Sequence, residues 1–355
     1  MRLNPGLRTV LRRPDSLQLG STSGGIVVEG LSAPARAFID RLRDGFPDTE
    51  LAEVAAGCGL EEPEAEELLA ALGDAVFPSG TNPAQPVGPA AERARADAAH
   101  WSAVYRRDGA AVLRRRAAAS VCVTGLGRTG AALAQHLASA GVGTILLDDP
   151  RPVLPKDLGA ASFGPAELGM PRAAAVRRRL AQLAPAVSAR IRHPGAPLPS
   201  RAAPGLEVIV GSEVVPAAER ERLLASGRPH LAVLLREQDS IVGPLVVPGA
   251  TACLDCIERQ RADADEAWPA VAEQLARDAG SGEESALAAA TAGLAALQVL
   301  LHLDGLHRPA TWSAVLRLRS ADGAPSLEPC APHPRCWCRF QLAASVPRIS
   351  STASP

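Results

Sequence analysis

The stretch SVCVTGLGRTGAALAQHLASAG at 120–141 constrains the fold more than any other part of the chain. A run of buried-strand character leads into Gly125-Leu126-Gly127-Arg128-Thr129-Gly130, a G-x-G-x-x-G, and the pattern then turns helical until Gly141. The spacing has a steric logic. Gly125 permits the tight turn, Gly127 lets backbone approach a phosphate, and Gly130 lets the helix pack close to the strand. The helix N-terminus then offers free N–H groups to an anion. The next strand, VGTILLDD, ends in Asp148-Asp149, about twenty residues on, where an acid can hold ribose hydroxyls. The motif supports an adenine nucleotide without choosing between NAD and ATP.

Downstream, ELGMPRAAAVRRRLAQLAP reads as a helix, LEVIVGS and HLAVLL as strands, and PAAERERLLASG as a helix between them. Such alternation predicts an α/β fold, a Rossmann-like, mostly parallel sheet with helices on both faces. The arginine run at 177–179 reads as a solvated helix face. The apolar run ALAAATAGLAALQVLLHL carries His302 and is expected as a core helix, not a membrane span.

Residues 1–80 form a pattern of their own. DSLQLG and GGIVVEGL are short strand-like runs with STSG between them, a hairpin signal. APARAFIDRLRDG, DTELAEVAAGCG and EPEAEELLAALGDA follow as helices, and AVF offers a last strand. Two strands, three short helices and a closing strand predict a small winged-helix-like α+β domain. Its acidic EEPEAEE run would repel phosphates. A peptide- or protein-docking role therefore outweighs DNA binding and a plain structural appendage. The expected division is a docking domain at 1–80, a Pro-rich linker and helix start at 81–98, a nucleotide-binding domain at 99–342 and a disordered tail at 343–355.

A net charge of −1 argues against a nucleic-acid or membrane-surface partner. Aromatic residues are only 3% of the chain, so Ala and small aliphatics must fill the core, and Lys156 is the single lysine. The first residues carry no apolar segment after their basic ones, so no signal peptide and a cytoplasmic location are expected. In a reducing compartment clustered cysteines point to metal before disulfide. Cys253 and Cys256 in ATACLDCIERQ, with Cys336 and Cys338 in CAPHPRCWC, make two compact pairs. Four thiolates in two such pairs predict a closed, structural Zn2+ site. Cys330 and His333 are alternative ligands. Cys58 and Cys122 read as inert core thiols.

Taken together, the glycine turn, the Asp pair, the ELGMPRAAA helix start and the late split cysteine site resemble the ThiF/MoeB/HesA superfamily, relatives of ubiquitin-activating enzymes. The resemblance covers about residues 100–340. GPLVVPGATACLDC and the PHPRCWC end are similar to an actinobacterial branch. There a winged-helix leader-peptide-binding module precedes the ThiF-like domain in proteins that serve azole-forming cyclodehydratases, and residues 1–80 resemble that module. The resemblance implies ATP and Mg2+ as cofactors and a homodimer. It implies as partner a precursor peptide or a ubiquitin-like or sulfur-carrier protein whose carboxylate is adenylated. It carries Gly125, Gly127, Arg128, Gly130, Asp148 and Asp149 over as nucleotide-binding positions. Arg172 falls at the family lysine and Glu213 at the magnesium-binding acid, as the catalytic pair. The family's Asn falls at Asp157 and its Arg-Gln run at Gly159, Ala160 and Ala161. Arg106 or Arg107 stands for the arginine that reaches into a partner's site. No exposed cysteine invites a thioester.

Two readings follow. One is an active adenylyltransferase. The other is a catalytically degenerate scaffold that delivers a precursor leader peptide to a partner cyclodehydratase. A nicotinamide dehydrogenase fits less well, because nothing supplies its acid/base pair and the cysteines would go unexplained.

Overall fold

The computed structural model describes residues 1–21, 24–78, 89–192, 205–277 and 282–338. The chain packs as two units, 1–115 and 116–355. The expected tail lies outside the described residues, as do residues 81–88 of the expected linker.

In the first unit, β2 (Thr9–Arg13), β3 (Ser16–Leu19) and β4 (Ile26–Val28) form an antiparallel sheet in that order. The two strands expected from the sequence are β3 and β4; β2 was not foreseen. The closing run does become a strand, β5 (Val76–Phe77), but it pairs with β1 (Arg2–Leu3) in a separate two-stranded sheet. Helix α1 (Ala33–Asp44) starts where the Ser32 hydroxyl accepts from the Ala35 N–H at 3.2 Å, with Pro34 in its first turn. Helix α2 (Leu51–Cys58) ends on left-handed Gly59, and α3 (Glu62–Leu72) opens with a capping box in which Glu64 reaches back to the Glu61 N–H at 3.0 Å. Leu17, Leu19, Phe38, Ile39, Leu42 and Leu72 fill the core. Cys58 packs partly buried against it.

Helix α4 (Pro89–Tyr105) packs within this first unit, which runs to Arg115. Asn4 Nδ2 donates to the Ser102 carbonyl at 2.9 Å, and a side chain on Gly6 would strike the Ala99 carbonyl. That contact depends on tertiary packing, which a composition-based linker reading does not register.

The second unit is built on one eight-stranded sheet. Five strands on one side of it, out to the edge, are parallel: β10 (His230–Leu235), β9 (Leu206–Ser212), β6 (Ser120–Thr124), β7 (Thr144–Asp148) and β8 (Ser188–Ile191), in that order. Beyond β10 the sheet continues antiparallel through β11 (Asp239–Val246), β12 (Ala314–Arg319) and β13 (Pro325–Pro329). The expected α/β architecture is thus present. Alternation along β9 assigns the two faces. Val208 and Val210 join a core with α6 (Arg128–Ser139), α7 (Arg172–Leu183) and α11 (Ser285–Asp304). Ile209 joins the opposite core with α8 (Ala217–Ser226) and α9 (Leu254–Ala264).

Helix α11 is long and apolar enough to cross a membrane by composition alone. Ala292, Ala295, Ala296, Val299 and Leu300 instead pack into the sheet core. Its Asp304, fully buried, takes a bidentate pair from Arg116 at 2.8 and 2.6 Å. The arginine run of α7 is not a purely solvated face, because Arg178 and Arg179 anchor on buried Glu167 at 3.2 and 2.5 Å.

Candidate functional site

The turn between β6 and α6 adopts the geometry that its glycines allow. Gly125 has φ 84°, and a Cβ there would overlap the Val210 carbonyl of the neighbouring strand. A Cβ on Gly130 would overlap the Gly125 carbonyl, so α6 lies hard against the turn. The turn opens into a cleft of about 260 Å³ lined by Gly125, Gly127, Arg128, Arg172 and Glu213 together with Arg151, Lys156, Asp157, Arg236 and Glu283. Five cationic side chains and three carboxylates line it, and Arg151, Arg172 and Arg236 are already paired with Asp149, Asp157 and Asp239.

Asp148 and Asp149 do not line this cleft as ribose acids would. Asp149, 3% exposed, accepts from the Leu126 N–H at 2.8 Å, from Arg151 Nε and Nη2 at 2.9 Å and from Arg172 Nη1 at 3.2 Å. Burial alone would raise its pKa, but the Arg151 hydrogen bonds, the Leu126 amide and the Arg172 charge bring it below the ordinary aspartate value. Asp148 pairs with Arg192 at 3.5 Å, and burial pushes its carboxyl up. Arg172, 5% exposed, spends Nε and Nη2 on the buried Asp157 carboxylate at 2.6–3.0 Å. Glu213 holds a left-handed φ of 57°, and its carboxylate accepts the Glu237 N–H at 3.0 Å while burial raises its pKa. Arg106 lies in the first unit, paired with Asp74 at 3.6 Å. Sequence reasoning missed Arg151, Lys156, Arg236 and Glu283 as cleft residues. Arg151 closely follows the Asp pair and Arg236 follows the strand HLAVLL, whereas Glu283 comes from a polar run, GSGEES, that carries no pattern at all.

The second candidate centre is the cysteine cluster. Cys253 caps α9 and Cys256 lies in its first turn, while Cys336 and Cys338 follow the turn after His333. Their sulfurs stand 3.8 Å (Cys253–Cys256), 3.5 Å (Cys253–Cys336) and 3.3 Å (Cys256–Cys338) apart, and all four lie within 4.8 Å of one another. Four sulfurs about 2.3 Å from one zinc would be about 3.8 Å apart in a tetrahedron, so the set fits. The hydrogen bond between Cys253 and Cys256 lowers the Cys256 pKa and raises that of Cys253, and burial raises Cys338.

Cys330 and His333 are not in the cluster. Cys330 contacts the Glu328 carbonyl, and His333 Nε2 meets Asp263 at 2.8 Å, pinning the C-terminal turn to α9. All seven cysteines are free thiols, and burial lifts Cys122 to about 11.

Residues 100–198 match the model of the ThiF family. No curated protein matches the chain. Among solved structures, E. coli MccB with ATP superposes at a TM-score of 0.69 with 16% identity, and MccB with MccA at 0.68 with 16%; each alignment covers 95% of this chain and 98% of the other. PaaA aligns at 0.69 with 15% identity, over 91% of this chain and 98% of its own. Identities this low establish a shared fold across both units.

Proposed function

We propose that this chain, whose residues 100–198 are a ThiF-family segment, is an adenylyltransferase-type protein that handles a peptide precursor. On this reading the first unit holds an extended peptide. The second presents that peptide's carboxylate, or that of a small carrier protein, to ATP and Mg2+ at the Gly125–Gly130 turn. The observation that carries the reading is the strand–glycine turn–helix opening into a cleft lined by Arg128, Arg151, Lys156 and Arg236. Magnesium-bound ATP would supply the leaving pyrophosphate. Arg128 and Lys156 offset its charge, the α6 N-terminus orients it, and the Glu213 carboxylate is the acid available to the metal. The MccB structure solved with MccA supports a peptide as partner. The four clustered cysteines support zinc as a structural metal, and a thiolate-bound metal suits a reducing compartment such as the cytoplasm.

In the first unit the free edge of β4, bordered by α3, suits strand addition by a peptide. Val27 is 39% exposed there, and the glutamates of α3 favour basic residues beside the peptide's apolar anchors. Val27→Pro removes a backbone donor from that strand and should weaken peptide binding in titration calorimetry while leaving zinc content unchanged.

A specific observation favours the second reading, a scaffold that delivers the peptide to a partner cyclodehydratase. Arg172 is consumed by Asp157, and the Arg-Gln positions hold Gly159, Ala160 and Ala161. Pyrophosphate exchange into ATP, dependent on the peptide or carrier, supports adenylation. Peptide binding without exchange, and with no thermal shift from millimolar ATP and magnesium, supports the scaffold.

A further inference from the structure

The first N–H groups of a helix have no partners within it, and at α6 the N-cap is Gly127, which has no side chain to offer. Glu283 fills that place from 154 residues away. Its Oε2 accepts from the Thr129 N–H at 2.6 Å and from Thr129 Oγ1 at 2.5 Å. Arg128 Nη1 donates to the Glu283 carbonyl at 2.5 Å. A Cβ on Gly127 would overlap Glu283 Oε1, so the missing side chain at Gly127 is what admits this carboxylate. The next residue does a different job. Glu284 Oε2 accepts from Leu287 N at 2.8 Å and caps its own helix, α11. Adjacent glutamates thus serve two helix ends, one local and one distant.

We propose that Glu283 is a resident anion of the glycine turn, standing where the phosphate of a ligand would stand, so that any anion engaging the turn must first displace it. The proposal rests on the reading that the turn binds an anionic ligand. The carboxylate takes the amide and hydroxyl that a phosphate oxygen would use. Affinity for an external anion is then reduced by the fraction of molecules in which Glu283 is in place. A purely structural cap would stabilise the helix and compete with nothing.

The test is titration calorimetry of the full chain with magnesium pyrophosphate and, separately, magnesium ATP, for wild type, Glu283→Ala and Glu284→Ala. The expected result is at least tenfold tighter binding by Glu283→Ala and no change in Glu284→Ala. If Glu283→Ala melts early, Glu283→Gln replaces it, keeping the size and losing the charge. Equal or weaker binding by the Glu283 variant overturns the proposal. Equal ATP binding by wild type and variant overturns it while the nucleotide reading stands. A gain for pyrophosphate with no ATP binding by either protein keeps the resident anion and removes the nucleotide reading. No binding of either anion by either protein removes both.

Discussion

Asp148 and Asp149 are neighbours in sequence with opposite electrostatic fates. Asp149 favours its charged form in the fold, so its contribution to stability is complete above about pH 3.9, the ordinary aspartate value. That contribution is lost as pH falls through its own, lower pKa. Asp148 is shifted up, so ionising it opposes folding as pH rises through its raised value. Asp149→Asn should therefore lower the melting temperature at pH 7, while Asp148→Asn should leave it unchanged or raise it. Arg172 belongs to the same network. Arg172→Ala leaves Asp157 buried without its partner and should cost about 3–5 kcal/mol, read from denaturant melts. Arg172→Lys should fall between, because an ammonium cannot reproduce the two-pronged contact. The sequence placed both aspartates at the end of β7, Arg172 at the start of α7 and Asp157 between them. It did not reveal that Arg172 satisfies Asp149 and Asp157, because side-chain pairing across 15 to 23 residues leaves no mark on spacing.

Elements were most legible where a local pattern repeats. The β6–turn–α6 unit follows from a buried run, three glycines and a helical period, and the structure has it within a residue or two. Strand β2, TVLRR, was missed because it lacks alternation: Val10 and Leu11 face opposite ways at an edge and are both exposed. Its pairing with β3 is a non-local fact. The glycines also separate by what surrounds them. Gly130→Ala would press a methyl group into the Gly125 backbone and force α6 away from β6, costing about 1–3 kcal/mol with no ligand present. Gly127→Ala meets only the end of a flexible glutamate side chain, so it should cost less. Melts of the two variants check this order, and a larger loss for Gly127→Ala would mean that Glu283 is held rigidly in the turn.

At the scale of the whole molecule, the two cysteine pairs close a long loop through a single four-sulfur cluster. Cys253 and Cys336 are 83 residues apart, and Cys256 and Cys338 are 82. Between them lie α9, α11 and the antiparallel strands β12 and β13, which extend the sheet on the side away from its parallel edge. A cross-link spanning about 80 residues removes roughly 4.5 kcal/mol of chain entropy from the unfolded state on the loop-closure model. His333 on Asp263 and the Cys330 N–H on the Ser313 carbonyl at 2.8 Å hold the same turn, but exposed or single hydrogen bonds of this kind contribute far less. The sequence disclosed the four clustered cysteines because metal-type spacing is local within each pair; it did not exclude Cys330 or His333, whose partners come from other elements. We expect about one zinc per chain by metal analysis. Cys256→Ser should release it and lower the melting temperature of the α/β unit, and a chelator should do the same to wild type. Cys330→Ser should keep the metal, since its sulfur faces the Glu328 carbonyl and not the cluster. Protein purified without chelator that contains no zinc, or that melts unchanged after Cys256→Ser, would assign the closure of this loop to packing alone.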